Sequence, residues 1–87
     1  MKQTIKPEDL KEIKTATGTR KRNVTVKRSN GKKSTLEILS KKTVYNIRIA
    51  DSKGSEITEV MCLSIPKGSV ESIDSLVEFI KRTILTD

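Results

Sequence analysis

Four stretches of this chain alternate apolar and polar residues, and a fifth changes to a helical period. Asn23–Ser29 sets Val24 and Val26 against Thr25 and Lys27, the period-two pattern of a half-exposed strand. Leu36 and Ile38 resume that pattern after a turn. Thr43–Ala50 carries Tyr45, Ile47 and Ile49 on one parity and Val44, Asn46 and Arg48 on the other. Glu56–Ile65 puts Ile57, Met61, Leu63 and Ile65 on one parity, against Thr58, Val60, Cys62 and Ser64. Beyond Pro66-Lys67-Gly68, residues Val70, Ile73, Val77, Ile80 and Ile84 recur at alternating spacings of three and four, which predicts an amphipathic helix. Ser69 is its expected N-cap, Glu71 and Asp74 suit its positive end, and Lys81-Arg82 suit its negative end.

The first two strands meet at Ser29-Asn30-Gly31, and the pattern decides the turn. A two-residue Asn-Gly loop pairs Ser29 with Lys32 and sets Val24 and Val26 opposite Glu37 and Thr35. A three-residue loop closed by Gly31 as a bulge pairs Arg28 with Lys32 instead. Val24 then faces Leu36, and Ile38 falls on the same side. Only the second register yields one apolar face, so it is the one expected. It gathers Thr25, Lys27, Lys33 and Thr35 on the other face, with Lys27 directly across from Lys33. Like charges so placed cost stability, and a phosphate over them would explain why they are there. Lys41-Lys42 mark the next turn, and Asp51–Ser55 reads as a loop.

Upstream, Pro7-Glu8-Asp9 is a helix-start signal, and Ile5, Leu10 and Ile13 supply a thin apolar stripe. A short helix is expected there, followed by a linker over Thr15–Thr19. The predicted division is an N-terminal arm, residues 1–19, and a sheet-plus-helix domain, residues 20–87. The predicted fold class is α+β: a four-stranded antiparallel sheet followed by one C-terminal amphipathic helix. With 87 residues, no Trp, one Tyr and one Phe, the core is lean, and a small domain buries a small share of its surface. Self-association is therefore expected. One side of the helix covers the sheet, and Leu76, Phe79, Ile80 and Thr83 are assigned to a seam with a second copy.

Charge extends the reading from fold to partner. Residues 1–50 hold 14 basic and 4 acidic groups, whereas residues 51–87 hold 4 and 7. An excess so one-sided argues for a polyanionic partner. The residues assigned to a nucleic-acid contact are Arg20, Lys21, Arg22, Thr25, Lys27, Arg28, Lys32, Lys33, Thr35, Lys41, Lys42 and Arg48. The cations would hold phosphates, and the threonines would add neutral hydrogen bonds. Tyr45 shares its parity with Ile47 and Ile49 and is assigned to core or seam before base stacking. Cys62, the lone cysteine, is assigned to packing; it rules out an internal disulfide and fits a reducing compartment. There is no His, no Gly-rich phosphate loop and no nucleophile motif. Catalysis, a metal, a cofactor and a small-molecule substrate are accordingly not expected. No apolar run approaches transmembrane length, so no membrane partner is expected, and the cytoplasm is the expected compartment (nucleoid-associated, or host cytosol or nucleus for a viral product).

The segment Arg22-Asn23-Val24-Thr25-Val26-Lys27-Arg28-Ser29-Asn30-Gly31-Lys32, continuing to Leu36-Glu37-Ile38, resembles the opening of the positive-cofactor-four family of transcriptional coactivators. Leu63-Ser64-Ile65-Pro66 is similar to that family's junction between fourth strand and helix. The Whirly and purine-rich-element-binding proteins are similar in architecture. The resemblance covers about residues 20–85. It implies a four-stranded sheet with one helix, dimerised largely through the helices, binding single-stranded DNA across the sheets. It matches the family's basic positions at Arg22, Lys27, Arg28, Lys32 and Lys33. The stacking aromatics of the family's sheet face are absent here, which favours an electrostatic grip.

The functional expectation is a dimeric protein that binds single-stranded nucleic acid, chiefly DNA, in transcription, replication or repair. Two alternatives stand beside it. One is a small protein-interaction module, such as a phage-encoded inhibitor of a host factor, using the helix. The other is a binder of double-stranded DNA or RNA that lays the hairpin in a groove.

Overall fold

The computed structural model describes residues 5–29 and 31–85. Its strands are β1 (Lys11–Glu12), β2 (Thr19–Lys27), β3 (Lys33–Ser40), β4 (Val44–Lys53) and β5 (Glu56–Pro66), and its helix is α1 (Ile73–Thr83). All five strands pair antiparallel in one sheet, in the order β1-β5-β4-β3-β2. The fold is α+β, with five strands where the alternation predicts four. The extra strand is only two residues long, too short to show a period. Lys11 pairs with Ser64 and Glu12 with Leu63, and the Ile13 N–H donates to the Cys62 carbonyl at 3.0 Å. The expected N-terminal helix is reduced to one 3-10 turn, Pro7–Asp9.

The β2–β3 hairpin has the register that the apolar face requires. Val24 pairs with Leu36, Lys27 with Lys33, and the Arg28 N–H donates to the Lys32 carbonyl at 2.9 Å. Gly31 sits at φ +84°, a left-handed conformation that glycine adopts without a Cβ penalty. Asn30, the middle of the expected turn, lies outside the described residues.

Inward-facing residues of the sheet meet α1 in one core. Leu36, Ile38, Ile47, Ile49, Leu63 and Ile65 pack with Leu76, Val77, Phe79 and Ile80, and Ile5 and Leu85 join from the two ends of the chain. Each such side chain contributes about 1.5–3 kcal/mol through burial. The helix starts later than expected, because Lys67–Ser69 forms a 3-10 turn that leaves Val70 buried ahead of it. Ser72, not Ser69, is the N-cap. It accepts from the Ser75 N–H while the Ser75 hydroxyl accepts from the Ser72 N–H, satisfying two otherwise orphan donors.

Two further expectations are corrected. Leu76 and Ile80 are fully buried within one chain and Phe79 nearly so. Thr83 is exposed and donates its hydroxyl to the Phe79 carbonyl. The exposed positions of α1 are Asp74, Glu78, Arg82 and Thr83, so it offers no apolar seam. Ile57 also leaves the inner face. A register shift against β4 pairs Asp51 with Glu59 but Ser52 with Ile57, skipping Thr58, whose hydroxyl donates to the Asp51 carbonyl. The bulge turns Ile57 to the outer face, where it is 62% exposed.

Candidate nucleic-acid interface

The face of the sheet turned away from α1 carries part of the sequence-predicted site. Cross-strand pairing arranges its side chains in rows running from β2 to β5. Lys27, Lys33, Ser52 and Ile57 form the row nearest the β2–β3 turn, and Thr25, Thr35, Ala50 and Val60 form the next. Asn23, Glu37, Arg48 and Cys62 follow, then Arg20, Leu39, Asn46 and Ser64.

This face is not open throughout. β1 and β2 are consecutive in the chain but lie at opposite edges of the sheet, so residues 13–18 must cross it. They cross at the β3–β4 end. Asn46 donates its side-chain N–H to the Thr17 carbonyl at 2.7 Å, and Lys41 Nζ donates to Thr17 Oγ1 at 3.1 Å. Asn46 is left 5% exposed. Gly18 follows at φ +136°, and a Cβ there would lie 2.7 Å from the Ser40 carbonyl oxygen. The strap covers the Leu39–Asn46 row and leaves the two rows nearest the hairpin tips uncovered. Neither the crossing nor its anchor on Asn46 is foreseen in the alternation, which shows only that Asn46 points outward.

The predicted contact residues divide into four groups. Thr25, Lys27, Lys33 and Thr35 are brought together on the uncovered half, as two directly opposed pairs. Arg20 and Arg48 share the face but hold Glu37 between them, at 3.5 Å and 3.2 Å. Lys21, at the β2 irregularity, and Lys41 and Lys42, in the β3–β4 turn, are exposed at the rim.

The remaining three turn toward the helix side. Arg22 pairs with Ile38 and forms an ion pair with Asp74 of α1. Arg28 and Lys32 follow the same inward parity. Arg28 Nη1 donates to Ser34 Oγ at 3.3 Å and lies 3.8 Å from Asp51 Oδ1, while Ser34 Oγ donates to that same oxygen at 2.6 Å. This is a clamp joining the hairpin to β4. Tyr45 also faces the helix side, packed against the core with Lys67 Nζ 5.1 Å from its ring centroid, so it is not a stacking platform on the outer face.

Charge on the uncovered half is uneven. Lys27 and Lys33 have no carboxylate partner among the described residues. The acids of β5 do not balance them, since Glu59 pairs across from Asp51 on the helix side. Among the described residues there is no group of three or more His, Cys, Asp or Glu that could hold a metal ion. No helix among them is long and apolar enough to cross a membrane.

These features define an open sheet face with a cationic edge on a small α+β scaffold. Compared with protein-family models, curated proteins and solved structures, the chain matches none. The resemblance to the positive-cofactor-four family rests on the residues quoted above alone.

Proposed function

We propose that this chain binds single-stranded nucleic acid, DNA foremost, through its phosphates and largely without regard to sequence. The observation that carries the reading is the Lys27–Lys33 pair, two ammonium groups opposed across β2 and β3 on the uncovered half of the outer face. Left alone, such a pair costs stability; a phosphate bridging it turns the cost into charge-assisted hydrogen bonds. Thr25 and Thr35, the adjoining opposed pair, supply neutral donors. Lys21, Lys41 and Lys42 extend the cationic rim, whereas Arg22, Arg28 and Lys32 serve the scaffold. A role in transcription, replication or repair belongs to the same proposal. The grip is complete within one chain, and the homodimer expected from the lean core is a separate proposal that sedimentation velocity tests.

Fluorescence anisotropy with labelled single- and double-stranded oligonucleotides over a salt series tests the reading. Two to five phosphate contacts give a slope of log K against log salt of about −1.4 to −3.5, at roughly 0.7 per phosphate for a single strand. Weak, salt-insensitive binding that is equal for both forms overturns it. Salt-steep binding that prefers duplex transfers the site to the hairpin-in-groove alternative.

A further inference from the structure

Among the described residues, the large hydrophobic side chains left exposed are Ile57 and Val60, and both lie on the uncovered half of the outer face: Ile57 ends the row that Lys27 and Lys33 begin, and Val60 ends the adjoining row of Thr25 and Thr35. Two apolar residues three apart on a strand would normally point to opposite faces. The bulge at Thr58 is what sets them side by side. Ala50, the neighbour of Val60 on β4, is buried and offers little surface of its own. The uncovered half therefore changes from cationic on β2 and β3 to aliphatic on β5. Lys33 and Ile57 are two strand spacings apart, roughly 10 Å. Nothing acidic intervenes on their row, which runs Lys33, Ser52, Ile57.

We infer that Ile57 and Val60 form a platform for the unpaired bases of a single strand whose phosphates sit on Lys27 and Lys33. The inference rests on the phosphate-binding reading above and adds to it which nucleic acid is taken and how. A nucleotide has the same polarity as this face, an anionic backbone on one side and an apolar ring face on the other. A strand lying across the β-strands satisfies both ends at once. Apolar side chains serve as surfaces for bases released from a duplex, and bases within a duplex keep their ring faces against one another and cannot use such a platform. A second copy of the chain is a poorer occupant. Two side chains fall far short of the ~800 Å² per partner that a stable protein interface buries, and the bulge itself disrupts edge pairing along β5.

The experiment compares a short oligothymidylate with a sugar-phosphate oligomer of the same length and charge but without bases, using wild type and the double variant I57T/V60T. Threonine keeps the β-branching of both positions, and circular dichroism confirms the fold. Wild type is expected to bind oligothymidylate at least about threefold more tightly than the abasic oligomer, below the roughly fivefold that marks the low end of base stacking on an aromatic ring. The double variant is expected to lose that difference while keeping the affinity for the abasic oligomer and the salt slope. Equal wild-type binding of the two oligomers, or unchanged oligothymidylate binding by the variant, overturns the platform and leaves the phosphate reading standing. Failure of wild type to bind either oligomer overturns both. A variant that turns a wild-type dimer into a monomer in sedimentation velocity assigns the patch to a second copy and overturns the platform.

Discussion

Replacing Lys33 by glutamate should make this protein more stable and a poorer ligand for phosphate at the same time. Lys27 and Lys33 are directly opposed in the β2–β3 ladder, and both are exposed. A cross-strand charge pair is worth about 0.2–1 kcal/mol, so removing a repulsion and installing an attraction counts that amount about twice. Exposure to solvent pulls the upper end of the sum down, leaving about 0.4–1 kcal/mol. For a domain of this size, 1 kcal/mol moves Tm by about 4–8 °C, so a rise of roughly 2–8 °C is expected at low ionic strength. Near 1 M salt, where the Debye length is about 3 Å, most of the gain should vanish. Lys33→Gln, which removes the repulsion without adding the attraction, should give about half. Binding should move the opposite way, with the salt slope for a single strand falling by at least ~0.7 for the lost phosphate contact. Thermal denaturation at two ionic strengths and anisotropy on the same samples read both effects. A Lys33→Glu variant less stable at low salt, or a gain undiminished by salt, refutes the electrostatic argument. Unchanged oligonucleotide binding refutes the assignment of the pair to a ligand.

Three further substitutions examine the scaffold that presents the pair. Ser34 is fully buried, with its hydroxyl between Arg28 and Asp51; Ser34→Ala should cost about 1–3 kcal/mol in urea denaturation, and a cost under about 0.5 kcal/mol would show the clamp to be idle. Gly18→Ala forces a Cβ to within 2.7 Å of the Ser40 carbonyl at φ +136°; about 1–3 kcal/mol should be lost and tryptic cleavage after Lys14 should quicken, whereas an unchanged digestion rate argues against a fixed strap. Leu76→Ala should cost about 2–5 kcal/mol with an unfolding midpoint independent of protein concentration, and a concentration-dependent midpoint would return the helix to a seam between copies.

Much of this was readable from periodicity, because most of the sheet is half covered and alternation then reports sides directly. The hairpin register is fixed by the turn that puts Val24, Leu36 and Ile38 on one face. The helix followed from the spacing of Ile73, Val77 and Ile80. What escaped is what periodicity does not encode. β1 is held by backbone pairing at the edge of β5, not by its own side chains, and a two-residue strand has no pattern. The Thr58 bulge reverses parity for Ile57 without any glycine or proline to signal it. Ser72 supplanted Ser69 as cap because Lys67–Ser69 takes a turn of its own before the helix begins. At the site, charge summed along the chain does not report which face each cation takes. The alternation that sends Val24 and Val26 inward sends Arg22 and Arg28 inward too, where they find Asp74 and Asp51.

The strap explains why the candidate interface has the extent it has. Four strand spacings, roughly 19 Å, separate β1 from β2. The six residues between Glu12 and Thr19 give a reach of about 24 Å when fully extended. With so little slack, the segment cannot pass around either end of the sheet and must take a short path across it. The Thr17 carbonyl, captured by Asn46, and the tight passage of Gly18 over Ser40 fix that path at the β3–β4 end. The opposed lysines, the opposed threonines, Ile57 and Val60 all lie beyond it, toward the hairpin tips. A ligand on this face is therefore confined to a band bounded by the strap on one side and the two turns on the other. It has to run across the strands, from the cations of β2 and β3 to the aliphatic edge of β5, because along the strands its way is blocked.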